Sequence, residues 1–350
     1  MTNCILCGKA NVSAALQVCV DCLRSGREEA LELARAAHAR IRTQYRLPAE
    51  PPRSEGGIRC TVCANECVIA EGERGYCGLR TNVDGKLRSA APYDHAILYS
   101  YIDPLPTNCC AAWFCPGSSQ YGKVNVAVFF YGCNFNCLFC QNASHKEFQM
   151  IKPVSVKTFV ASVTQRDDVN CICYFGGSPE PQLPFALRAS EAVLAKMKVR
   201  ICWEWNGCGN KTLVKRAAEL SLQSGGIVKF DLKAFNPQLG EALSGVYNQR
   251  AYENFEMIAR QYFAHSEPPV LTATTLLVPF YVDEEEVEQI ATFIADLSPE
   301  IPYSLLVFHP DFYMRDLPIT PREQVKRCYE AAKKYLNNVN IGNQQLLGVL

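Results

Sequence analysis

Cys133, Cys137 and Cys140 form the pattern CxxxCxxC in the segment YGCNFNCLFCQN, directly after the apolar stretch VNVAVFFY at residues 124–131. Three thiolates at this spacing can hold three irons of a [4Fe–4S] cluster from one short loop, because cysteine thiolates are the usual ligands of such clusters. The fourth iron is left without a protein ligand. A cluster with an open iron can bind a small molecule and react with it, whereas one held by four cysteines transfers electrons. The three residues therefore predict chemistry at a metal cluster.

The alternative interpretation is that these three cysteines belong to a zinc site or are reduced thiols buried in a core. Structural zinc loops generally use C-x2-C or C-x4-C pairs and need four ligands. The loop supplies three thiols. Spacing and ligand number therefore favour the open cluster.

The CxxxCxxC pattern after a first strand, with the aromatic Phe139 just before the last cysteine, resembles the signature of the radical S-adenosylmethionine (SAM) superfamily. The resemblance implies that the open iron binds the amino and carboxylate groups of SAM. It also implies that one electron from the cluster cleaves the sulfonium to a 5′-deoxyadenosyl radical, which abstracts hydrogen from a substrate. An electron donor of the ferredoxin or flavodoxin type is an expected partner.

Cys4, Cys7, Cys19 and Cys22 form two CxxC pairs separated by eleven residues. Two such pairs can surround one tetrahedral ion, as in a zinc ribbon or a rubredoxin-like iron site, and four sulfur ligands suit both metals. A segment this short cannot build a core without its metal, so the site is at least structural.

A second cysteine group precedes the triad, in the segment IRCTVCANECVIAEGERGYCGLR. It can hold either one more tetrahedral zinc or an auxiliary [4Fe–4S] cluster, and the spacing does not choose between them. Its members are Cys60, Cys63, Cys67 and Cys77. Three further cysteines, Cys109, Cys110 and Cys115, are interpreted as small buried residues, with stray metal ligation as the alternative.

Charge and length restrict the classes of partner. Lys+Arg and Asp+Glu both number 35, without basic blocks, which gives no support to a nucleic-acid or anionic-membrane partner. No stretch has the apolar length of a membrane span and no signal peptide is recognisable, so we expect a cytoplasmic protein. In a reducing compartment, 19 cysteines with clustered spacings indicate metal ligands rather than disulfides.

Composition divides the chain into four parts. We expect a metal-binding ribbon at residues 1–26, an exposed connecting helix and a proline-rich linker at 27–57, a cysteine-rich module at 58–120, and a catalytic barrel at 121–350. The linker predicts that the ribbon folds independently, so that a chain lacking residues 1–45 still cleaves SAM.

From residue 124 onward, strand-like segments alternate with amphipathic helical stretches. Such alternation predicts an α/β fold with parallel strands and right-handed crossovers, here a partial (β/α)6 barrel of the TIM type. The six segments lie at about 124–131, 171–175, 199–204, 226–231, 270–278 and 303–308. In barrels the chemistry lies on loops after the strands, where the CxxxCxxC loop is placed.

The segment YFGGSPEP follows the second predicted strand. Gly176 and Gly177 allow the backbone to approach a ligand closely, and a plain turn at the strand end is the alternative. In radical SAM proteins a GGE-type segment at this place binds the SAM amino group. The resemblance therefore implies that Gly176, Gly177 and Glu180 contact SAM.

Polar residues also follow the third and fourth predicted strands. They are Glu204 and Asn206 in ICWEWNGCG, and Asp231 and Lys233 in KFDLKAF. Each pair alone could be a salt bridge or a solvated strand end, but their recurrence at successive strand ends predicts a shared pocket. We expect Asn206, Asp231 and Lys233 to position SAM.

Aromatic residues near the same strand ends, Tyr131, Trp203 and Trp205, are expected to exclude water from a reactive radical. His309, in FHPDFY after the sixth strand, is either a substrate contact or a structural residue.

The resemblance extends over nearly the whole chain after residue 58. The segment DLKAFNPQLGEALSGVYNQRAYENFEMIA resembles pyruvate formate-lyase activating enzymes. The stretches TTLLVPFYVDEEEVEQIATFI, FHPDFYMRDLPITP and NVNIGN are similar to the radical SAM member of the Memo-associated three-gene system, in which a glycine usually stands at the position of Phe280. The N-terminal ribbon lies outside that family pattern.

The leading functional hypothesis is a radical SAM enzyme that abstracts hydrogen from a protein or small-molecule substrate, with activation of a glycyl radical enzyme as the special case implied by the family. The first alternative is a methylating or cofactor-maturation enzyme of the same superfamily. The second, of another class, is a non-catalytic iron–sulfur protein that transfers electrons. That second alternative leaves the glycine-rich strand ends unexplained.

Overall fold

One eight-stranded sheet organises the C-terminal two thirds of the chain. The structure is a computed structural model that describes residues 1–107 and 109–348, so the last two residues of the expected barrel lie outside it. Before the sheet come two helices and five short strands. They are α1 (Val20–Arg24), α2 (Glu28–Gln44), β1 (Ile58–Arg59), β2 (Val68–Ile69), β3 (Arg80–Val83), β4 (Lys86–Ser89) and β5 (His95–Ala96).

The remaining strands supply the sheet, except for β8, which pairs with β5. They are β6 (Leu98–Pro104), β7 (Val124–Phe130), β8 (Val154–Ser155), β9 (Val169–Gly176), β10 (Arg200–Trp205), β11 (Val228–Asp231), β12 (Leu271–Leu277), β13 (Tyr303–Val307) and β14 (Val339–Gly342). The sheet order is β14-β13-β12-β11-β10-β9-β7-β6, with only the β6–β7 pair antiparallel. The predicted α/β architecture is confirmed.

Helices connect the parallel strands. They are α3 (Val156–Thr164), α4 (Leu183–Leu194), α5 (Lys211–Ser224), α6 (Pro237–Ser244), α7 (Gln249–Tyr262), α8 (Glu284–Leu297) and α9 (Arg322–Lys333). Several begin at a side-chain cap: Asn210 accepts from the backbone of α5, Asn236 from α6 and Asp283 from α8. Such caps satisfy the free N–H groups of a first helical turn and so fix where each helix starts.

All six predicted strands are present, and the sheet gains a strand at each edge. β14 extends the parallel series, and β6 runs antiparallel along β7. Every residue of β7 is buried, as expected for a parallel strand covered on both faces. The cysteine loop therefore leaves from the carboxyl end of a fixed strand.

The N-terminal ribbon docks on the barrel. The Tyr281 hydroxyl accepts from the backbone of Ser13 and donates to the carbonyl of Val18, both at 3.0 Å. Arg24 forms a two-point ion pair with Asp283 at the start of α8. The groups that make these contacts are buried or half-buried, so the ribbon shares an interface with the barrel.

Helix α2 is not the exposed connector that its sequence predicts. Its buried residues are Ala30, Leu31, Ala34, Ala37, His38, Ile41 and Arg42. His38 Nε2 donates to the carbonyl of Ala242 at 2.9 Å, and the Arg42 guanidinium lies 3.4 Å from the centre of the Tyr76 ring. The helix is therefore wedged between the cysteine-rich module and α6.

Among the described residues, no helix is both long and apolar enough to cross a bilayer.

Candidate functional site

The three cysteines of the CxxxCxxC loop lie at the carboxyl end of β7. The loop is held by α6, because the N–H of Asn136 donates to the carbonyl of Ser244 at 2.7 Å and the N–H of Leu138 to that of Leu243 at 3.0 Å. Cys133, Cys137 and Cys140 all line one open cavity of about 180 Å³. The sequence prediction that one loop presents three thiols to a shared space agrees with this placement.

The surroundings of these thiols suit a cluster. The N–H of Phe135 points to Cys133 Sγ at 3.3 Å, and Cys137 Sγ lies 3.6 Å from the Ser244 hydroxyl. Burial raises the pKa of Cys133 and of Cys140 above the ordinary thiol range. Thiols so buried stay neutral on their own, and binding to iron supplies the positive charge that favours the thiolate form.

Two buried cations lie near the same thiols. Burial lowers the pKa of Lys146, while Cys140 and Cys133 act in the opposite direction, so bound thiolates favour its ammonium form. The guanidinium of Arg42 is also buried, and the charges of Cys133 and Cys77 favour it. These cations offset the negative charge that three thiolates bring to a cluster.

Gly176 and Gly177 occupy positions where only glycine fits. Gly176 has φ +116°, and a Cβ there would lie 2.5 Å from the backbone nitrogen of Phe130. A Cβ on Gly177 would lie 2.4 Å from the carbonyl oxygen of Gly132 and 2.7 Å from the ring of His145. Both glycines line the cavity, so their small size lets the end of β9 lie directly against the cysteine loop.

Asp231 and Lys233 also line the cavity and pair with each other. Burial alone would lower the pKa of Lys233, but Asp231 and Cys137 outweigh it and the pKa is raised. The ammonium group lies 5.5 Å from the ring centre of Phe139. The pair therefore places a fixed positive and a fixed negative charge beside the cysteine loop.

Asn206 lies in the cavity wall, where other side chains occupy its amide. Its Nδ2 donates to Oδ1 of Asn134 at 2.8 Å and to the hydroxyl of Ser178 at 2.9 Å, and its Oδ1 accepts from the N–H of Cys208 at 2.9 Å. This network joins β10 to the cysteine loop and the end of β9. Asn206 therefore acts first as a positioning residue for the wall.

Glu180 departs from the expectation that it contacts SAM. It is fully buried and is not among the residues that line the cavity. Its Oε1 accepts from the N–H of Gly207 at 2.7 Å, and burial raises its pKa to about 7. The segment reads GGSPE rather than GGE, and Pro179 and Glu180 turn away into a short helix behind the wall. Glu180 supports the turn after β10.

Three polar atoms in the cavity wall test whether the site fits a polar ligand. His145 Nδ1, Trp205 Nε1 and Asp231 Oδ1 are buried and have no hydrogen-bond partner within the described residues. Buried polar atoms are normally paired, so unpaired ones beside a cavity indicate a missing partner. SAM carries an ammonium, ribose hydroxyls and an adenine, which offer both donors and acceptors. The residues present therefore fit SAM and an open-site cluster.

The aromatic residues and the histidine named from the sequence lie in different surroundings. Trp205 lines the cavity, whereas Trp203 donates its Nε1–H to the carbonyl of Ala217 on the helical side of the sheet. Tyr131 packs against the apolar cluster that contains Leu79 and does not line the cavity. His309 is half exposed and paired with Asp311, which supports the structural alternative for it.

Sequence reasoning missed several residues of the wall. Ser178, His145 and Asn142 line the cavity, and Asn142 Nδ2 donates to the carbonyl of Gly176 at 3.3 Å. Lys229, which lies two residues before Asp231 on β11, pairs with Glu204. The one available signal was the position of Asn142 and His145 directly after the cysteine triad.

The four ribbon cysteines converge on one point. Cys4 and Cys22 Sγ lie 3.9 Å apart, Cys7 and Cys19 Sγ lie 3.6 Å apart, and all four lie within 4.8 Å of one another. A tetrahedral ion with sulfur ligands at about 2.3 Å requires such spacing. Burial alone would raise the pKa of Cys4, but N–H groups of Cys19, Leu6 and Cys7 lower it to about 6. The ribbon can therefore bind one metal ion.

The second cysteine group lies against the triad loop. A Cβ on Gly132 would lie 3.2 Å from the carbonyl oxygen of Cys77, and the N–H of Tyr76 points to Cys67 Sγ at 3.5 Å. Among the described residues, the Sγ atoms of the ribbon cysteines all lie within 4.8 Å of one another. The Sγ atoms of this second group, Cys60, Cys63, Cys67 and Cys77, are not gathered so closely. Burial raises the pKa of Cys63 well above its ordinary value, and the charges of Cys77, Cys67 and Cys60 raise it further.

Parts of the chain are similar to known proteins. Residues 127–294 match the model of the Radical SAM superfamily. An uncharacterised protein of Methanocaldococcus jannaschii is 28% identical over 303 residues, which cover 82% of this chain and 81% of that protein. The isethionate sulfite-lyase activating enzyme of Desulfovibrio desulfuricans is 33% identical over 135 residues, covering 38% of this chain and 40% of that enzyme. A solved domain of a pyruvate-formate lyase-activating enzyme from Bacteroides vulgatus is 16% identical and covers 50% of this chain and 99% of the domain, with a TM-score of 0.41.

The matched region begins in β7 and includes the cysteine loop, the two glycines and the Asp231–Lys233 pair. Residues 127–294, just under half of the chain, are a radical SAM domain, and the chain is a radical SAM enzyme.

Proposed function

We propose that this enzyme cleaves SAM reductively and abstracts hydrogen from a protein substrate, in the manner of an activating enzyme for a glycyl radical enzyme. One observation carries the proposal: three thiols, two glycines and an ion pair from successive strand ends line the same cavity. When bound, a [4Fe–4S] cluster supplies the single electron that breaks the sulfonium bond of SAM. Cys133, Cys137 and Cys140 would hold that cluster.

The residues of the wall have separate tasks in this proposal. Asp231 Oδ1 is a free acceptor for an ammonium or hydroxyl group, and His145 and Trp205 offer unpaired ring nitrogens. Gly176 and Gly177 leave the space in which the ligand lies against the cysteine loop. Phe135, Phe139 and Phe175 give the cavity apolar walls that limit water around a reactive radical.

The substrate class rests on two observations. The isethionate sulfite-lyase activating enzyme is a relative. The motifs after residue 58 resemble activating enzymes and the radical SAM member of the Memo-associated system. We place the chain in that activating-enzyme-like group and assign a ferredoxin- or flavodoxin-type donor and a cytoplasmic setting, where free thiols persist.

The group at Cys60, Cys63, Cys67 and Cys77 is assigned an auxiliary cluster rather than zinc. A single tetrahedral ion needs its four sulfurs close together, and this spacing is met by the ribbon but not by these four. Changing all four to Ser should therefore lower iron and sulfide content without loss of zinc. Loss of one zinc with unchanged iron would return the site to a zinc assignment.

The test of the main proposal is reductive cleavage of SAM by anaerobically reconstituted protein. Replacing Cys133, Cys137 or Cys140 with Ala should abolish 5′-deoxyadenosine formation, because one missing thiolate destroys a three-ligand cluster. The matched control is Cys328→Ala, which removes a buried thiol of α9 that does not line the cavity. Formation of 5′-deoxyadenosine by any triad variant would refute the assignment.

The substrate class needs a separate measurement. A glycyl radical enzyme produced with α-deuterated glycine should transfer deuterium into 5′-deoxyadenosine when mixed with this enzyme and SAM. Cleavage of SAM without deuterium transfer from several such proteins would leave the radical chemistry intact and reject the glycyl radical substrate.

A further inference from the structure

A second cavity, of about 400 Å³, lies inside the barrel and is lined by five cysteines. We name it the thiol chamber. Its cysteines are Cys109, Cys115, Cys171, Cys173 and Cys202. The chamber shares wall residues with the SAM cavity, among them Phe175, Glu204 and Lys229. The two cavities are therefore neighbours within one barrel.

Strand geometry brings three of these thiols together. Cys171 and Cys173 are two residues apart on β9, so their side chains lie on the same face of the sheet. Cys202 of β10 is the register partner of Cys173. That face points into the barrel, because Phe175 and Glu204, the next residues in the same alternation, line the SAM cavity.

The segment before β7 supplies the other two thiols. β6 ends opposite Val124, at the amino end of β7, so residues 105–107 and 109–123 lie at the end of the barrel away from the cysteine loop. Trp113 Nε1 donates to the hydroxyl of Ser304 at 3.1 Å, and that hydroxyl donates to the carbonyl of Cys110 at 3.2 Å. These bonds tie the segment across the barrel interior and place Cys109 and Cys115 in the chamber wall.

Packing does not explain the five thiols. Inward positions of a barrel are usually filled by bulky branched side chains, which leave no space. Here the small thiols face an open volume and keep accessible surface, whereas Cys208 and Cys328, which pack in the core, are almost fully covered. The earlier interpretation of Cys109 and Cys115 as packing residues therefore does not fit their surroundings.

The chamber also contains a compensating charge. Lys229 is buried, pairs with Glu204, and lies 3.5 Å from Cys110 Sγ. Glu204 balances this ammonium, and the position of Lys229 at the chamber wall would also offset part of the negative charge that thiolate ligands bring to a cluster.

We propose that the thiol chamber binds a further iron–sulfur cluster, separate from the SAM-binding cluster and from the sites formed by the cysteines before residue 80. Donor sets made only of thiols select zinc, copper(I) or iron–sulfur clusters. A single ion needs its ligand atoms close together. Among the described residues, the ribbon cysteines have Sγ atoms that all lie within 4.8 Å of one another, and the chamber cysteines do not form such a group. A polynuclear cluster takes four thiolates at wider spacing, and the chamber offers five.

The test is iron and acid-labile sulfide per chain in the full-length protein after anaerobic reconstitution. The variant Cys171→Ser/Cys173→Ser/Cys202→Ser should lose about two irons for a [2Fe–2S] cluster or about four for a [4Fe–4S] cluster, with equal sulfide. The control Cys328→Ser should lose neither. Unchanged iron and sulfide in the triple variant would overturn the proposal.

A second arm protects against a variant that misfolds. Changing the triad to Ala together with Cys60, Cys63, Cys67 and Cys77 to Ser leaves the chamber intact and should still give protein with iron and sulfide. Sulfide is decisive, because a mononuclear iron in the ribbon contains none. Absence of sulfide, or zinc in place of iron, would reject the cluster. Neither readout depends on SAM turnover, so the proposed function can fail without affecting this result.

Discussion

Lys233 donates a 2.5 Å hydrogen bond to Oδ2 of Asp231, while Oδ1 of the same carboxylate is buried and without a partner within the described residues. The ion pair holds the carboxylate in one orientation. Only Oδ1 is left to accept from a ligand. Because both residues line the cavity beside Cys137, this free acceptor is well placed for an ammonium or hydroxyl group of SAM.

The first prediction concerns this carboxylate. Asp231→Asn should weaken SAM binding about 10- to 100-fold, because a hydrogen bond to a charged group contributes about 1.5–3 kcal/mol. The measurement is calorimetric titration of the reconstituted protein with SAM. Asp296→Asn, an exposed change on α8, is the control and should bind normally. Equal affinity of both variants would remove Asp231 from the binding site.

The second prediction concerns the buried cation near the triad. Lys146→Met should lower the reduction potential of the SAM-binding cluster, because the reduced cluster is the more negative state and loses a nearby positive charge. Each tenfold loss of stabilisation corresponds to about 59 mV for a one-electron couple. An electron paramagnetic resonance titration measures the shift, with the exposed Lys152→Gln as control. A potential that rises or stays constant would contradict this role.

The strand pattern and the cysteine loop were predictable because each is encoded locally. Buried parallel strands read as apolar runs, and three cysteines in eight residues identify their own site. Asp231 and Lys233 were also predictable, since strand ends in such folds converge on one edge. Phe280 stands where the resembled family usually has a glycine, and its φ of +67° lies in the left-handed region that glycine favours.

The features that the sequence did not reveal depend on distant partners. Cys171, Cys173 and Cys202 each read as small strand residues, and only the register of β9 and β10 brings them together. Helix α2 reads as exposed because it is rich in charge, yet Arg42 is buried over Tyr76. The position of Glu180 behind the wall follows from the two residues inserted between the glycines and the acid.

The third prediction uses the pKa of Glu180, which burial raises from 4.5 to about 7. Between pH 4.5 and pH 7 the carboxyl is protonated in the folded protein and ionised in the unfolded chain. The contribution of the protonated carboxyl to the free energy of unfolding is therefore complete below pH 4.5 and is lost as the pH rises through 7. Glu180→Gln removes the titration. The variant should therefore gain about 2 kcal/mol relative to the natural protein between pH 5.5 and pH 8.

Urea unfolding of the reduced apoprotein at the two pH values measures this difference. Glu55→Gln, an exposed change, should show the same pH dependence as the natural protein. The contrary result is that the free energies of unfolding of the natural protein and of Glu180→Gln change by the same amount between pH 5.5 and pH 8. That result would show that the Glu180 carboxyl titrates normally.

The fourth prediction separates the ribbon from helix α2. Asn136, inside the cysteine loop, donates from Nδ2 to His38 Nδ1 at 2.9 Å, and His38 donates from Nε2 to Ala242. Burial lowers the pKa of His38 to about 4, so the ring is neutral and can accept at one nitrogen while donating at the other. The helix therefore supports the loop that carries the triad.

Deletion of residues 1–26 should leave cluster content and SAM cleavage largely intact, because it removes contacts at Tyr281 and Asp283 that lie outside the cavity. Deletion of residues 1–45 should reduce both, contrary to the expectation from the linker alone, because it also removes His38 and Arg42. Iron content and 5′-deoxyadenosine formation measure the two effects. The point variant His38→Ala should reproduce part of the loss, with the exposed Arg40→Ala on the same helix as its control. Full activity after the longer deletion would show that the cysteine loop is held by α6 alone, since the bonds from Asn136 and Leu138 to that helix would then be sufficient.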